Sequence, residues 1–185
     1  MTNKTLGFSP MEWVVLMSKM INSPRISYKM SGLKGKVRNL KTTPPEAINH
    51  LDCSGFVQYV LFKTTINDER LPGGSSNQRD YLKVDYENVS YEDVGEPENT
   101  DVLYIAFRKT TSSRQGHVWF VYNGRTYECT KTKTPPRNGP TSFDWGVRKR
   151  ECDFCFILGH LNLPHAQLDM IPGIASVIKI AYPPK

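Results

Sequence analysis

The dipeptide Asn123-Gly124 separates two short runs, His117-Val118-Trp119-Phe120-Val121-Tyr122 and Arg125-Thr126-Tyr127-Glu128-Cys129-Thr130. Asn-Gly between strand-like runs is a strong hairpin signal, because both residues accept the positive φ of a type I′ turn. A two-residue turn fixes the register. Tyr122 pairs with Arg125, Val121 faces Thr126, Phe120 faces Tyr127, Trp119 faces Glu128, and His117 faces Thr130. Side chains alternate along a strand, so His117, Trp119, Glu128 and Thr130 share one face and Cys129 points to the other. Glu128 is the diagonal neighbour of His117, about 7–8 Å away between backbone positions, a span that a glutamate and an imidazole bridge. One sheet face therefore offers an imidazole with a carboxylate that fixes its tautomer and stabilises its charged form. An ordinary strand histidine opposite a glutamate has the same pattern. A nucleophile is needed to give it a chemical meaning.

Residues 51–63, Leu51-Asp52-Cys53-Ser54-Gly55-Phe56-Val57-Gln58-Tyr59-Val60-Leu61-Phe62-Lys63, supply one. Phe56, Val57, Val60 and Leu61 recur at helical spacing and mark an apolar face. Asp52 reads as the N-cap, which places Cys53 in the first helical turn. Free backbone N–H groups and the positive dipole end favour a thiolate there. If the His117 face packs against the start of this helix, Cys53, His117 and Glu128 fall in line as nucleophile, base and orienter.

The rest of the chain frames these two stretches. Its 185 residues suit one domain, 1–185, and 38% hydrophobic content supplies a core. Ser9-Pro10-Met11-Glu12 reads as a capping box, and Trp13, Leu16, Met17, Met20 and Ile21 continue a first helix. A short helix is expected over 76–82, and a buried strand over Val102 to Phe107. Phe154 to Leu158 and Ile174 to Ala181 read as further strands, and residues 131–151 as loop. Helices first and a mainly antiparallel sheet afterwards make an α+β arrangement.

The net charge is +6. Arg25, Lys29, Lys34, Lys36, Arg38 and Lys41 lie in a segment without acids, and Arg148-Lys149-Arg150 form a second cluster. Such surfaces suit an anionic polymer. No apolar run is long enough for a membrane span, and residues 1–22 make a poor secretory signal. The expectation is synthesis in the cytoplasm, with action on the cell wall or periplasm after non-classical secretion or lysis.

Taken together, these residues resemble the NlpC/P60 cysteine peptidases. Asp52-Cys53-Ser54-Gly55-Phe56-Val57 is similar to their nucleophile motif, Thr100-Asp101-Val102-Leu103-Tyr104-Ile105 to their strand that begins Gly-Asp, and Gly116-His117-Val118 to their histidine motif. Asn123-Gly124 and the strand through Glu128 are similar to the hairpin carrying their third polar residue. The resemblance covers roughly residues 50–130. It departs at Glu128, often histidine in the family, at Thr100 for glycine, and in lacking Gly-Gly before Asp52. It implies a compact papain-like fold and hydrolysis of peptide bonds in peptidoglycan stem peptides. It also implies Cys53 as nucleophile, His117 as general base and then acid, and Glu128 as orienter. Asp52 and Ser54 flank the nucleophile at positions that contact it or the substrate. Tyr28 stands where many members carry a tyrosine, and Trp119 joins them as an expected substrate contact. No metal or organic cofactor is implied. A lone domain of this kind resembles an injected antibacterial effector, for which a cognate immunity protein is an expected partner, or a phage lytic enzyme.

Other readings compete. A CHAP-type amidase has the same Cys-then-His order and cuts a different bond. A basic nucleic-acid or wall-binding module accounts for the cluster between residues 25 and 41 but leaves the Cys/His/Glu pattern unexplained, so nucleic acid is disfavoured. Cys152-x-x-Cys155 with His160 and His165 has part of a zinc pattern, but the histidines follow too closely and a strand would split the cysteines between faces.

Overall fold

The computed structural model describes residues 3–30, 39–94, 101–131 and 138–163. Helix α1 (Pro10–Met20) packs beside α2 (Cys53–Thr64), and α3 (Ser75–Asp85) and α4 (Trp145–Lys149) are the other α-helices among the described residues. Six strands form one antiparallel sheet: β3 (Asn88–Val89), β4 (Val102–Arg108), β5 (His117–Tyr122), β6 (Arg125–Thr130), β7 (Gly139–Asp144) and β8 (Phe154–His160). Their order is β3-β8-β4-β5-β6-β7. Two further strands, β1 (Ser27–Tyr28) and β2 (His50–Leu51), form a small parallel pair. The architecture is mixed α+β. No helix among the described residues is long and apolar enough to cross a membrane.

The hairpin has the expected register: Tyr122 pairs with Arg125, Val121 with Thr126 and Phe120 with Tyr127. Asn123 and Gly124 take φ of 46° and 67°, the pair of positive angles that a type I′ turn demands. Asn123 tolerates this conformation because its short polar side chain visits the left-handed region at modest cost.

Helix α2 is central rather than amphipathic. Ten of its twelve residues are buried, so the expected single apolar face understates its role; a helix covered on most sides sits in the core. Asp52 caps it, its Oδ1 accepting from the Gly55 N–H at 2.6 Å. Ser9 also stands at the N-cap of α1, but its side chain makes no capping bond. Its backbone N–H instead donates to the Thr64 carbonyl at the end of α2, at 2.7 Å, so a tertiary contact fixes the chain where a capping box was expected.

Residues 131–151, expected as loop, contain β7 and α4. The composition of β7 (Gly139, Pro140, Ser142, Asp144) is that of a turn, yet it pairs with β6 from Arg125↔Asp144 to Thr130↔Gly139. It lies at the sheet edge, where proline is tolerated. The strand expected over 174–181 lies outside the described residues, as do Lys34, Lys36, Arg38, Thr100 and His165.

The sheet separates two cores. On one face α1 and α2 cover Val118, Phe120, Tyr122, Tyr127 and Cys129, with the Phe56 and Phe120 rings 6.1 Å apart, edge to face. On the other, Tyr104, Ala106, Trp119 and Val121 pack with Trp145, Cys152 and Cys155.

Candidate active site

Cys53 is the first residue of α2, and the local fold delivers it there with its neighbours. Strand β1 pairs with β2 so that Tyr28 lies opposite Leu51, directly before Asp52 and Cys53. The Lys29 N–H donates to the Leu51 carbonyl at 3.0 Å. That carbonyl also accepts the Cys129 thiol at 3.3 Å, which ties β6 to the same point. Beside the start of α2, Gln78 of α3 is fully buried and its Nε2 donates to the Ser54 carbonyl at 3.0 Å.

His117 opens β5, and Gly116 lets it approach. A Cβ at Gly116 would stand 2.6 Å from Thr110 Oγ1 and 3.1 Å from Ser75 Oγ, so no side chain fits there without displacement. His117 Nε2 is bonded to Glu128 Oε2 at 2.7 Å, the diagonal pairing that the hairpin register requires. Cys53 neighbours the same ring closely enough to raise its proton affinity. With Nε2 taken by Glu128, Nδ1 is the nitrogen left for Cys53.

The route by which Cys53 meets His117 differs from the one expected. Helix α2 packs on the opposite face of the sheet, against Val118 and Phe120. His117 shares its face with Trp119, whose ring lies 5.4 Å from the imidazole. Contact is made because both residues are terminal: His117 begins its strand and Cys53 begins its helix. The imidazole therefore sits at the end of the sheet, where the first turn of α2 reaches it.

Charge and burial act strongly here. Burial alone would lower the proton affinity of His117, but its interactions with Cys53 and Glu128 outweigh it and raise its pKa to about 9. Burial likewise pushes the Glu128 carboxyl up, yet His117 and Arg148 hold it below the ordinary carboxylate range. Cys129 differs: burial, reinforced by Cys53, Asp52 and Glu128, pushes its thiol well up, so it stays protonated. Tyr28 is raised to about 12, by burial first and then by Cys53 and Asp52, which marks it as their neighbour.

A cleft of roughly 590 Å³ opens over His117. Tyr28, Lys29, Arg108, Gln115, Thr130 and Lys131 are among the residues that line it. Of the four residues expected to contact substrate, Tyr28 faces this cleft. Asp52 and Ser54 are buried, and the Ser54 hydroxyl donates to Asp52 Oδ1 at 2.9 Å, so both brace the helix start. Trp119 is fully buried and backs the imidazole instead of presenting a surface.

Sequence reasoning missed several groups around Glu128. Arg148 Nε donates to Oε1 at 2.9 Å and Nη2 to Oε2 at 3.0 Å. Thr126 Oγ1 donates to Oε1 at 3.1 Å. Thr126 was within reach of the hairpin pattern, since i and i+2 share a face. Arg148 was not. It was grouped with Lys149 and Arg150 as a basic surface, but it turns inward. Cys152 precedes β8 and folds onto the same side as Cys155, so the strand does not split them. Among the described residues no group of three or more His, Cys, Asp or Glu is arranged to hold a metal.

Comparison with protein-family models, with curated proteins and with solved structures gives no match for this chain. The functional reading therefore rests on the site itself.

Proposed function

We propose that the protein is a cysteine amidase or endopeptidase of papain-like NlpC/P60 type that hydrolyses peptide bonds in peptidoglycan stem peptides. The observation that carries this reading is the ordered contact Cys53–His117–Glu128 at a helix N-terminus beside an open cleft. A thiolate paired with an imidazolium is a ready nucleophile. Cys53 Sγ attacks the amide carbonyl, and the Cys53 backbone N–H at the helix start receives the developing oxyanion. His117 protonates the leaving amine, which departs and leaves a thioester. It then takes a proton from water, whose oxygen attacks the thioester and frees the acid and the thiolate. Glu128 keeps the ring oriented and the imidazolium stabilised throughout. The site geometry supports the cysteine chemistry. The choice of stem peptides as substrate comes from the motif resemblance, and with it the role of an injected effector, with an immunity partner, or of a phage lytic enzyme.

The test is digestion of purified muropeptides, with mass analysis of the fragments. Wild-type protein is expected to release defined peptide fragments, and Cys53→Ala none. Muropeptides left intact by the wild type would sink the wall reading. Full activity in Cys53→Ala would sink the mechanism.

A further inference from the structure

We propose that Arg148 is a positioning residue of this site: its guanidinium clamps Glu128 and makes His117 release its proton more readily. The inference rests on the catalytic reading of Cys53, His117 and Glu128.

The geometry is a two-pronged fork. Arg148 engages both Glu128 oxygens, at 2.9 and 3.0 Å, while Oε2 also meets His117 Nε2 at 2.7 Å. Glu128 is fully buried, so these partners are its environment. Arg148 is itself fixed. Its Nη1 donates to Glu151 Oε1 at 2.9 Å, and its guanidinium lies over the Phe143 ring, 4.6 Å from the centroid. Glu151 in turn holds Arg108 and Arg114. These contacts hold the side chain against Glu128.

A nucleophile, a base and an orienting carboxylate do not by themselves require this cation. Its effect follows from charge counting. While His117 is protonated, Glu128 has two cations beside it. Once His117 has given its proton to the leaving amine, Arg148 is the cation that remains. Without it, a buried carboxylate would be left uncompensated, and the site would hold its proton back. Arg148 also repels the imidazolium directly. Both effects act in the same direction. The other ionisable groups facing the pair are Cys53 and Asp52 at the start of α2, Tyr28 on β1, and Arg108 on β4, the register partner of His117. Glu151 lies behind Arg148, Arg114 beyond it, and Lys131 across the cleft. None of these reaches both oxygens of Glu128 as Arg148 does.

The decisive measurement needs no substrate. In a Cys53→Ala background, the His117 ring nitrogens are followed by NMR against pH. Arg148→Met is expected to raise the His117 midpoint by about one pH unit or more, a tenfold tighter hold on the proton. Arg148→Lys keeps the charge and is expected to stay within about half a unit of its parent. A midpoint in Arg148→Met that is unchanged or lower would overturn the proposal. So would a rise of a full unit in Arg148→Lys, which also decides the matter if the methionine variant fails to fold. With Cys53 present, kcat on muropeptides should fall roughly 10- to 100-fold in Arg148→Met, with KM within about twofold. An unaltered kcat would also count against it. Because the titration involves no muropeptide, failure of the wall reading and failure of this inference are separable.

Discussion

The two faces of the hairpin β5–β6 carry the same backbone and opposite chemistry. Toward α2 lie Val118, Phe120, Tyr127 and Cys129, a dry apolar layer. On the other side, beside the buried Trp119 and Val121, lie His117, Glu128 and Thr126, joined to Arg148 and Glu151 in a part-buried ionic chain. The apolar face supplies the attachment of the central helix. The charged cluster cannot contribute in that way, since burying charges offsets most of what their attraction gains. It contributes a fixed imidazole. The residues that hold α2 and those that fix the imidazole thus alternate along one strand pair, and the two sets meet where β5 begins, next to Cys53.

Substitutions can break this division from either side. On the polar face, His117→Ala should abolish hydrolysis, by about 1000-fold or more, with a smaller shift in the urea midpoint than any large truncation on the apolar face. On the apolar face, Phe120→Ala should cost about 3–5 kcal/mol of stability, read from urea denaturation, because it empties the layer under Phe56. The fraction that remains folded should keep its kcat. If Phe120→Ala instead lost turnover without losing stability, the two faces would not be separate in function. Glu128→Gln keeps the shape but loses the charge, and we expect roughly a 100-fold loss of kcat, less than for His117→Ala. Equal, total loss would mean that the carboxylate does more than orient.

Titration sharpens the comparison further. The pKa of His117 is raised from 6.5 to about 9 on folding. Its contribution to stability is therefore fully present below about pH 6.5 and is lost as pH rises through about 9. The wild-type urea midpoint should decline over that window relative to His117→Gln, whereas Phe120→Ala should show the same decline from a lower start. The smallest effect belongs to the turn that joins the faces. Gly124→Ala forces a Cβ into φ of 67° and should cost about 1 kcal/mol, measured by thermal melts, with the cleavage pattern unchanged.

What the sequence made legible follows from how locally each feature is determined. The hairpin register, the His117–Glu128 pairing and the Asp52 cap depend on neighbours a few residues apart, and each is present as expected. The extent of α2 and of β4 was legible for the same reason. Strand β7 was not, because its Gly, Pro, Ser and Asp favour turns and only pairing with β6 holds it extended. With β7 unseen, α4 had no place, and Arg148 could not be brought to Glu128. The face that meets α2 was misjudged because alternation says which residues share a side, not which side a helix covers. Asp52, Ser54 and Trp119 illustrate a similar limit. Proximity to a site was readable, but whether a side chain opens to the cleft or braces it depends on packing from elements far away in the chain.

The hairpin also has a consequence in time. His117 and Glu128 are eleven residues apart and meet across a two-residue turn, a contact of the kind that forms within microseconds. Cys53 comes from far upstream and reaches the imidazole only when α2 has docked on the sheet, a long-range closure that is slower. In a chain that is folding, His117 and Glu128 therefore meet before the Cys53 thiol arrives. The proposed site is thus completed by a long-range contact, and a chain in which α2 has not docked carries its parts without joining them.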